Sequence, residues 1–196
     1  MSGEVMTEST RRRLSDRQAG TVRRLTDAAV EEVRATGFDG FTVRNVARRA
    51  GVAPATAYTY FTSKNHLVTE VFWRRLSTLP PVRPSPEGPR ERVVAVLREI
   101  ALLVSDEPEL AAACTTALLG SDPDVQELRL RIGKTIRRRL LSALNPDRAG
   151  RPTPEEGRVL NALEFAYAGA LVHAGMGYSS YAEMADRLAE VVELLL

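Results

Sequence analysis

Cysteine is almost absent from this chain. Cys114 stands alone among 196 residues, so no internal disulfide framework holds the fold. Histidine is nearly as scarce, with only His66 and His173, and a metal centre of clustered His and Cys ligands therefore has too few parts. No run approaches the roughly 20 consecutive apolar residues of a membrane-spanning helix. The opening stretch MSGEVMTEST is acidic and polar, with no apolar segment of the secretory kind, which predicts a cytoplasmic protein without a membrane partner. A catalytic constellation is missing too: no nucleophile stands beside a base, and no paired carboxylates fall in a recognisable motif. Enzymatic function is not expected, nor is a cofactor.

What is present is charge unevenly placed. From Ser9 to Lys64 there are eleven Arg and Lys against five Asp and Glu, a net charge of +6, whereas the whole chain carries +2. A basic front joined to a mildly acidic rear predicts an anionic partner for the first and a separate task for the second.

Helical periodicity runs through the chain, and no strand pattern competes with it. Val22, Leu25, Ala29 and Val33 form one apolar stripe that ends at Gly37, a glycine placed as a helix C-cap. Thr42 then caps a short helix with Val43, Val46, Ala47 and Ala50 on its inner face, stopped by Gly51. A third helix starts at Pro54, with Ala57 and Phe61 inward. Ser63 caps a fourth, which runs through Trp73 to the proline-rich stretch PPVRPSPEGP. Further helices are expected from Arg90 to about Ser105, Pro108 to Leu119, and Asp122 to Leu144, then after Thr153 and after Ser180. Capping boxes mark the last two starts. The fold class is thus all-α, with about nine helices.

A long helix followed by two short ones joined through a glycine is the three-helix form of the helix-turn-helix. The stretch TDAAVEEVRATGFDGFTVRNVARRAGVAPATAYTYFTSKNHLV carries more than this layout. Asp27, Ala28, Ala29, Gly37, Phe38, Thr42, Val46, Ala47, Ala50, Gly51, Val52, Tyr58, Tyr60, Phe61, Lys64 and Leu67 stand at fixed offsets. In these it resembles the DNA-binding domain of the TetR family of bacterial transcriptional regulators. Two positions depart from that pattern: Ala53 stands where a serine usually caps the recognition helix, and Ala57 replaces a bulky aliphatic residue.

The resemblance implies a homodimer that sets one recognition helix per subunit into double-stranded DNA at a pseudo-palindromic operator. It also implies a rear domain that binds a small-molecule effector and releases the DNA, as a repressor would. The expected division is a flexible basic arm over 1–16, a helix-turn-helix domain over 17–62, and an effector-binding and dimerisation domain over 63–196.

On this reading Pro54, Ala55, Thr56 and Thr59 face the bases. Their methyl groups can touch thymine, but no Arg, Asn or Gln among them offers a bidentate base code. Arg44 is placed near the groove by the family pattern, and DNA shape is the other source of specificity. Tyr58 and Tyr60 combine an apolar body for the core edge with a hydroxyl that reaches phosphate. Thr42 and Lys64 sit at helix N-termini as phosphate anchors, and Arg48 and Arg49 face the backbone. Arg11, Arg12 and Arg13 enter a minor groove or simply add counterion-release affinity.

In the rear, Ala162, Ala166, Ala170 and Ala174 repeat at i+4 beside Gly169 and His173. So smooth a ridge suits a two-fold dimer interface or, equally, close packing within one subunit; the resemblance favours the dimer. Trp73, Cys114, Phe165 and Tyr167 lie on helices that line the ligand cavity in the family, with His173 a further candidate. Each is as readily core, and an apolar pocket would suit a lipophilic effector. Arg129, Arg131, Lys134, Arg137, Arg138 and Arg139 read most simply as a solvated helix face, with an acidic ligand as the lesser reading. Two other classes compete: a DNA-binding architectural protein without an effector, and a helical-bundle enzyme.

Overall fold

The computed structural model describes residues 16–82, 88–146 and 151–196. Among these residues the chain is helical throughout, with no strand: α1 (Asp16–Gly40), α2 (Val43–Arg49), α3 (Pro54–Tyr60), α4 (Lys64–Thr78), α5 (Pro89–Ala101), α6 (Pro108–Leu119), α7 (Gln126–Leu144), α8 (Pro154–Gly175) and α9 (Tyr181–Leu195). The helical geometry of α1 breaks at Gly37, whose φ of 65° is open to glycine at little cost.

Local chemistry sets most of the boundaries. Thr42 accepts from the Asn45 N–H and Ser63 from the His66 N–H, each satisfying a donor that the helix start would otherwise leave orphaned. Reciprocal capping boxes open α8 at Thr153 and Glu156, and α9 at Ser180 and Glu183. The α2–α3 turn is a Schellman motif: Gly51 N–H donates to Arg48 O, Val52 N–H donates to Ala47 O, and Gly51 adopts φ 63°. Asp122 caps a short 3₁₀ turn, Pro123–Val125, rather than α7 directly.

A further boundary departs from expectation. The fifth helix ends at Ala101 instead of continuing to Ser105, and tight i to i+3 bonds follow, from Leu103 N–H to Ile100 O and from Ser105 N–H to Leu102 O. Leu102, Leu103 and Val104 keep the composition of a helix, so periodicity alone misses the change.

The core is continuous from front to rear. Leu25, Phe41, Val46, Ala57 and Phe61 are buried in the three-helix unit, and Leu67, Val68 and Leu76 of α4 join it to Leu97, Ile100 and Leu110 behind. Helix α6 packs against both α1 and α4, while α5 packs against α7 and α9. Among the described residues no helix is long and apolar enough to cross a membrane.

Candidate nucleic-acid interface and effector cavity

Helix α3 presents two unlike faces. Ala57 is fully buried and Phe61, at its C-cap, is 2% exposed, which fixes the helix against α2 and leaves Pro54, Ala55, Thr56, Tyr58 and Thr59 at the surface. The small Ala57 lets α3 sit close to its support. Ala53 makes no side-chain cap, so Pro54 at the first turn is what starts the helix. Tyr60 is half-buried and packs on the core, whereas Tyr58 is 49% exposed.

Beside this face lies a cleft of about 660 Å³ between α1 and α3, lined by Arg17, Arg23, Arg24, Thr56 and Tyr60 among others. These three arginines were not singled out by sequence reasoning. The i+7 spacing from Arg17 to Arg24 returns to one helix face, and Arg23 stands about 100° around the helix from Arg24. Arg44 and Arg48 are exposed on α2, Arg48 donating to Asn45 Oδ1 at 2.7 Å.

Two expected backbone contacts are otherwise engaged. Arg49 Nε donates to Glu32 Oε2 at 2.8 Å, and this carboxylate is buried, so the arginine neutralises an interior charge through one donor while its side chain stays exposed. Lys64 Nζ donates to Phe38 O at 2.9 Å and lies 4.2 Å from the Phe38 ring centroid. The ammonium thus braces the α1 terminus, with at most its remaining donors for a phosphate. Arg11, Arg12 and Arg13 lie outside the described residues.

Behind the front unit is an apolar cavity of about 170 Å³, walled by α4, α5, α6, α7, α8 and α9 through residues that include Phe72, Ile100, Cys114, Ile132, Leu171 and Met184. Its polar groups are few. Thr115 Oγ1 and Tyr181 Oη share a hydrogen bond of 2.8 Å. Burial pushes the Tyr167 and Tyr181 hydroxyls above their ordinary pKa and the Cys114 thiol up to about 12, so all three stay neutral and the thiol is not a nucleophile.

Of the five residues expected at a ligand site, the structure brings Cys114 and Tyr167 to this cavity. Trp73 faces a separate cleft with Leu76 and Arg139, beneath Arg131. Phe165 is 81% exposed, and the exposed His173 meets the Tyr178 ring edge-on. Phe165 precedes Tyr167 by two residues, or about 200° around the helix, so the two cannot share a wall.

The alanine ridge also resolves differently along its length. Each i+4 step advances about 40° around the helix, so the stripe winds by about 120° from Ala162 to Ala174. Ala174 is consequently buried within its own chain, Ala166 and Ala170 pack partly on the core, and Ala162 is half-buried. Gly169 and His173 are exposed, in company with Phe165 and Met176. The basic face of α7 is corrected as well: Arg139 is 8% exposed, bonding Pro80 O and Glu99 Oε2 at 2.7 Å each, and Arg129 is half-buried at the cavity wall.

Comparison with known proteins agrees with this geometry. A family model for bacterial regulatory proteins of the tetR family matches residues 25–71, the part that holds α2, α3 and most of α1. The chain is 48% identical over 182 residues to the uncharacterized HTH-type transcriptional regulator Rv0767c of Mycobacterium tuberculosis, covering 92% of this chain and 82% of that one. It is 29% identical over 184 residues to the HTH-type transcriptional repressor KstR of Rhodococcus jostii, covering 93% and 85%. Among solved structures, a TetR transcriptional regulator from Rhodococcus sp. RHA1 superposes with a TM-score of 0.74 at 25% identity, over 92% of this chain and 97% of that one. FadR of Bacillus subtilis, solved with stearoyl-CoA, shares the fold with a TM-score of 0.64 at 17% identity, over 87% and 96%. With its helix-turn-helix at the front and relatives matched along nearly their whole length, the chain belongs to the TetR family and is a DNA-binding transcriptional regulator.

Proposed function

We propose that this regulator acts as a homodimeric repressor of a pseudo-palindromic operator and is released from it when a small apolar effector enters the rear cavity. The observation that carries the proposal is the position of α4. Its first turn follows directly on α3, and Phe72, two turns further on, lines the cavity. A ligand that displaces Phe72 therefore acts on the helix that holds the recognition helix.

Division of labour follows the core. Residues 17–62 carry the DNA-reading face, with Thr42, Arg44, Arg48, Pro54, Ala55, Thr56, Tyr58, Thr59 and Tyr60 as its contacts and Arg17, Arg23 and Arg24 extending it over the phosphates. Residues 63–196 carry the cavity and, on α8, its C-cap and α9, the exposed apolar side chains Phe165, Met176 and Leu194 that suit a two-fold interface. The effector is a lipophilic molecule, in keeping with a cavity walled almost wholly by apolar side chains. Two structural neighbours were solved with acyl-CoA, the Bacillus subtilis FadR with stearoyl-CoA and the Thermus thermophilus FadR with lauroyl-CoA.

Selection of bound duplexes from a random DNA pool tests this reading, followed by a compound screen on the enriched duplex. An inverted repeat bound by two protomers and released by an apolar compound is the expected result. An enriched site that no compound releases would favour an architectural protein, and no enrichment at all would remove the operator from the account.

A further inference from the structure

The cavity does not end at its apolar wall. A second chamber of about 360 Å³ lies between α7 and α8, and Arg129, Gly133, Ile136 and Tyr167 border both. Gly133 leaves this junction free of a side chain, and a Cβ built there would meet nothing within 4 Å. Both chambers are walled mainly by apolar surface, and they differ in the charged side chains at their borders. The inner one is apolar apart from the neutral groups already described and Arg129. The outer one gathers Arg129, Lys134 and Arg137 against the single carboxylate of Glu164, which Arg137 already pairs at 2.8 Å.

Arg129 stands where the chambers meet, and its bonding is incomplete. Nη2 donates to the backbone oxygen of Asp122 at 2.8 Å, while Nε is buried and has no acceptor among the described residues. A buried donor of a charged group is costly to leave unpaired. A ligand acceptor arriving at this junction would remove that cost, and an anion would do so most strongly.

We infer that the effector is an amphipathic anion, with its apolar tail in the inner chamber and its charged head held by Arg129 at the junction with the outer one. This rests on the proposal that the cavity is the effector site. An apolar cavity of about 150 Å³ takes up benzene, so the inner chamber suits a tail of about six to eight carbons before Phe72 or its neighbours must move. Lys134 and Arg137 extend the same charge outward and serve a larger anionic head. The arrangement also gives the head a mechanical handle: Arg129 holds Asp122 O, and the Asp122 carboxylate accepts from Ser63 Oγ and Asn65 Nδ2 at the start of α4.

The test compares octanoate, octanoyl-CoA and octan-1-ol by calorimetry on the wild-type protein and on Arg129→Ala and Arg129→Lys. The wild type is expected to bind at least one anion about tenfold or more tightly than the alcohol, the difference a charge-assisted hydrogen bond supplies. Arg129→Ala should abolish that preference, so that neither anion binds more tightly than octan-1-ol does to the same variant. Arg129→Lys keeps the charge without Nε, and should retain only part of the preference; it also serves should the alanine variant fail to fold. Preference shown by octanoate identifies a simple carboxylate head, and preference confined to octanoyl-CoA identifies the larger phosphate-bearing one. Equal binding of all three probes to the wild type, or a preference untouched by either variant, overturns the anionic head but leaves the apolar site standing. Failure of every probe to bind the wild type overturns the effector cavity itself.

Discussion

Ser63 Oγ donates to Asp122 Oδ2 at 2.7 Å, tying the first turn of α4 to the turn that leads into α7. The same hydroxyl accepts from the His66 N–H as the α4 cap, and Asn65 adds a second donor to the carboxylate at 3.1 Å. Two residues far apart in sequence thus join the segment that follows the recognition helix to the helix that borders the cavity.

The hydrogen bond from Ser63 holds the Asp122 carboxyl below its usual range, aided by the Asp124 N–H, by Asn65 and by His66, against burial. A depressed carboxylate pKa contributes stability above its unfolded value and loses it as pH falls through the folded one. The stability of wild type relative to Asp122→Asn should therefore narrow below about pH 4, near the ordinary Asp pKa. Thermal melts of both proteins from neutral pH to pH 3 read the effect, and parallel curves would mean that the contact carries no weight.

Replacing Ser63 by alanine removes both the cap and the link, and should cost about 1 kcal/mol or slightly more. Ser63→Thr should restore most of it. A double-mutant cycle of Ser63→Ala with Asp122→Ala isolates the link, because Asp122→Ala removes the acceptor and leaves the Ser63 cap in place. A coupling energy near zero would show the two residues to be mere neighbours.

Gly51 holds the α2–α3 turn at φ 63°, and a Cβ there would meet nothing within 4 Å. The cost of Gly51→Ala is therefore conformational alone, about 1–2 kcal/mol. Chemical denaturation should show a lower midpoint with an unchanged slope, since the same surface is exposed on unfolding.

The uncapped start of α3 predicts the opposite sign. Ala53 makes no side-chain bond, so Ala53→Ser should add a cap worth about 0.5–1 kcal/mol, raising the melting temperature. A melting temperature equal to that of the wild type would indicate that Pro54 already supplies all the order the helix needs.

The apolar side chains on α8 and α9 predict a change of assembly. Phe165 is 81% and Leu194 86% exposed in the single chain, and Phe165→Asp or Leu194→Asp places a charge in any two-fold contact they form. Light scattering should show a dimer for the wild type and monomers for either variant. Dimers from both variants would move the interface elsewhere.

Legibility in the sequence divides along the range of the interaction. Caps at Thr42, Ser63, Thr153 and Ser180 and the break at Gly51 are set within four residues of themselves, and all were readable. Ala57 and Phe61 were readable as the inner face of α3 for the same reason. Long cations were not, because their partners lie across the fold: Arg139 reaches Pro80 and Glu99, Arg49 reaches Glu32, and Lys64 reaches Phe38. The cavity wall was only half readable, since an i+4 stripe drifts around its helix and a sequence does not say how many degrees of that drift a neighbour covers.

In the proposed complex DNA is read by α2 and α3 and held by the arginines of the adjoining cleft. The most direct test is the salt dependence of binding to the selected operator, measured by fluorescence anisotropy for the wild type and for Arg17→Ala, Arg23→Ala, Arg24→Ala and Arg44→Ala. Affinity should fall steeply with salt, and each variant that loses a phosphate contact should lower the log–log slope by about 1 per contact. A slope identical in the wild type and all four variants would place the DNA on another surface and contradict the account.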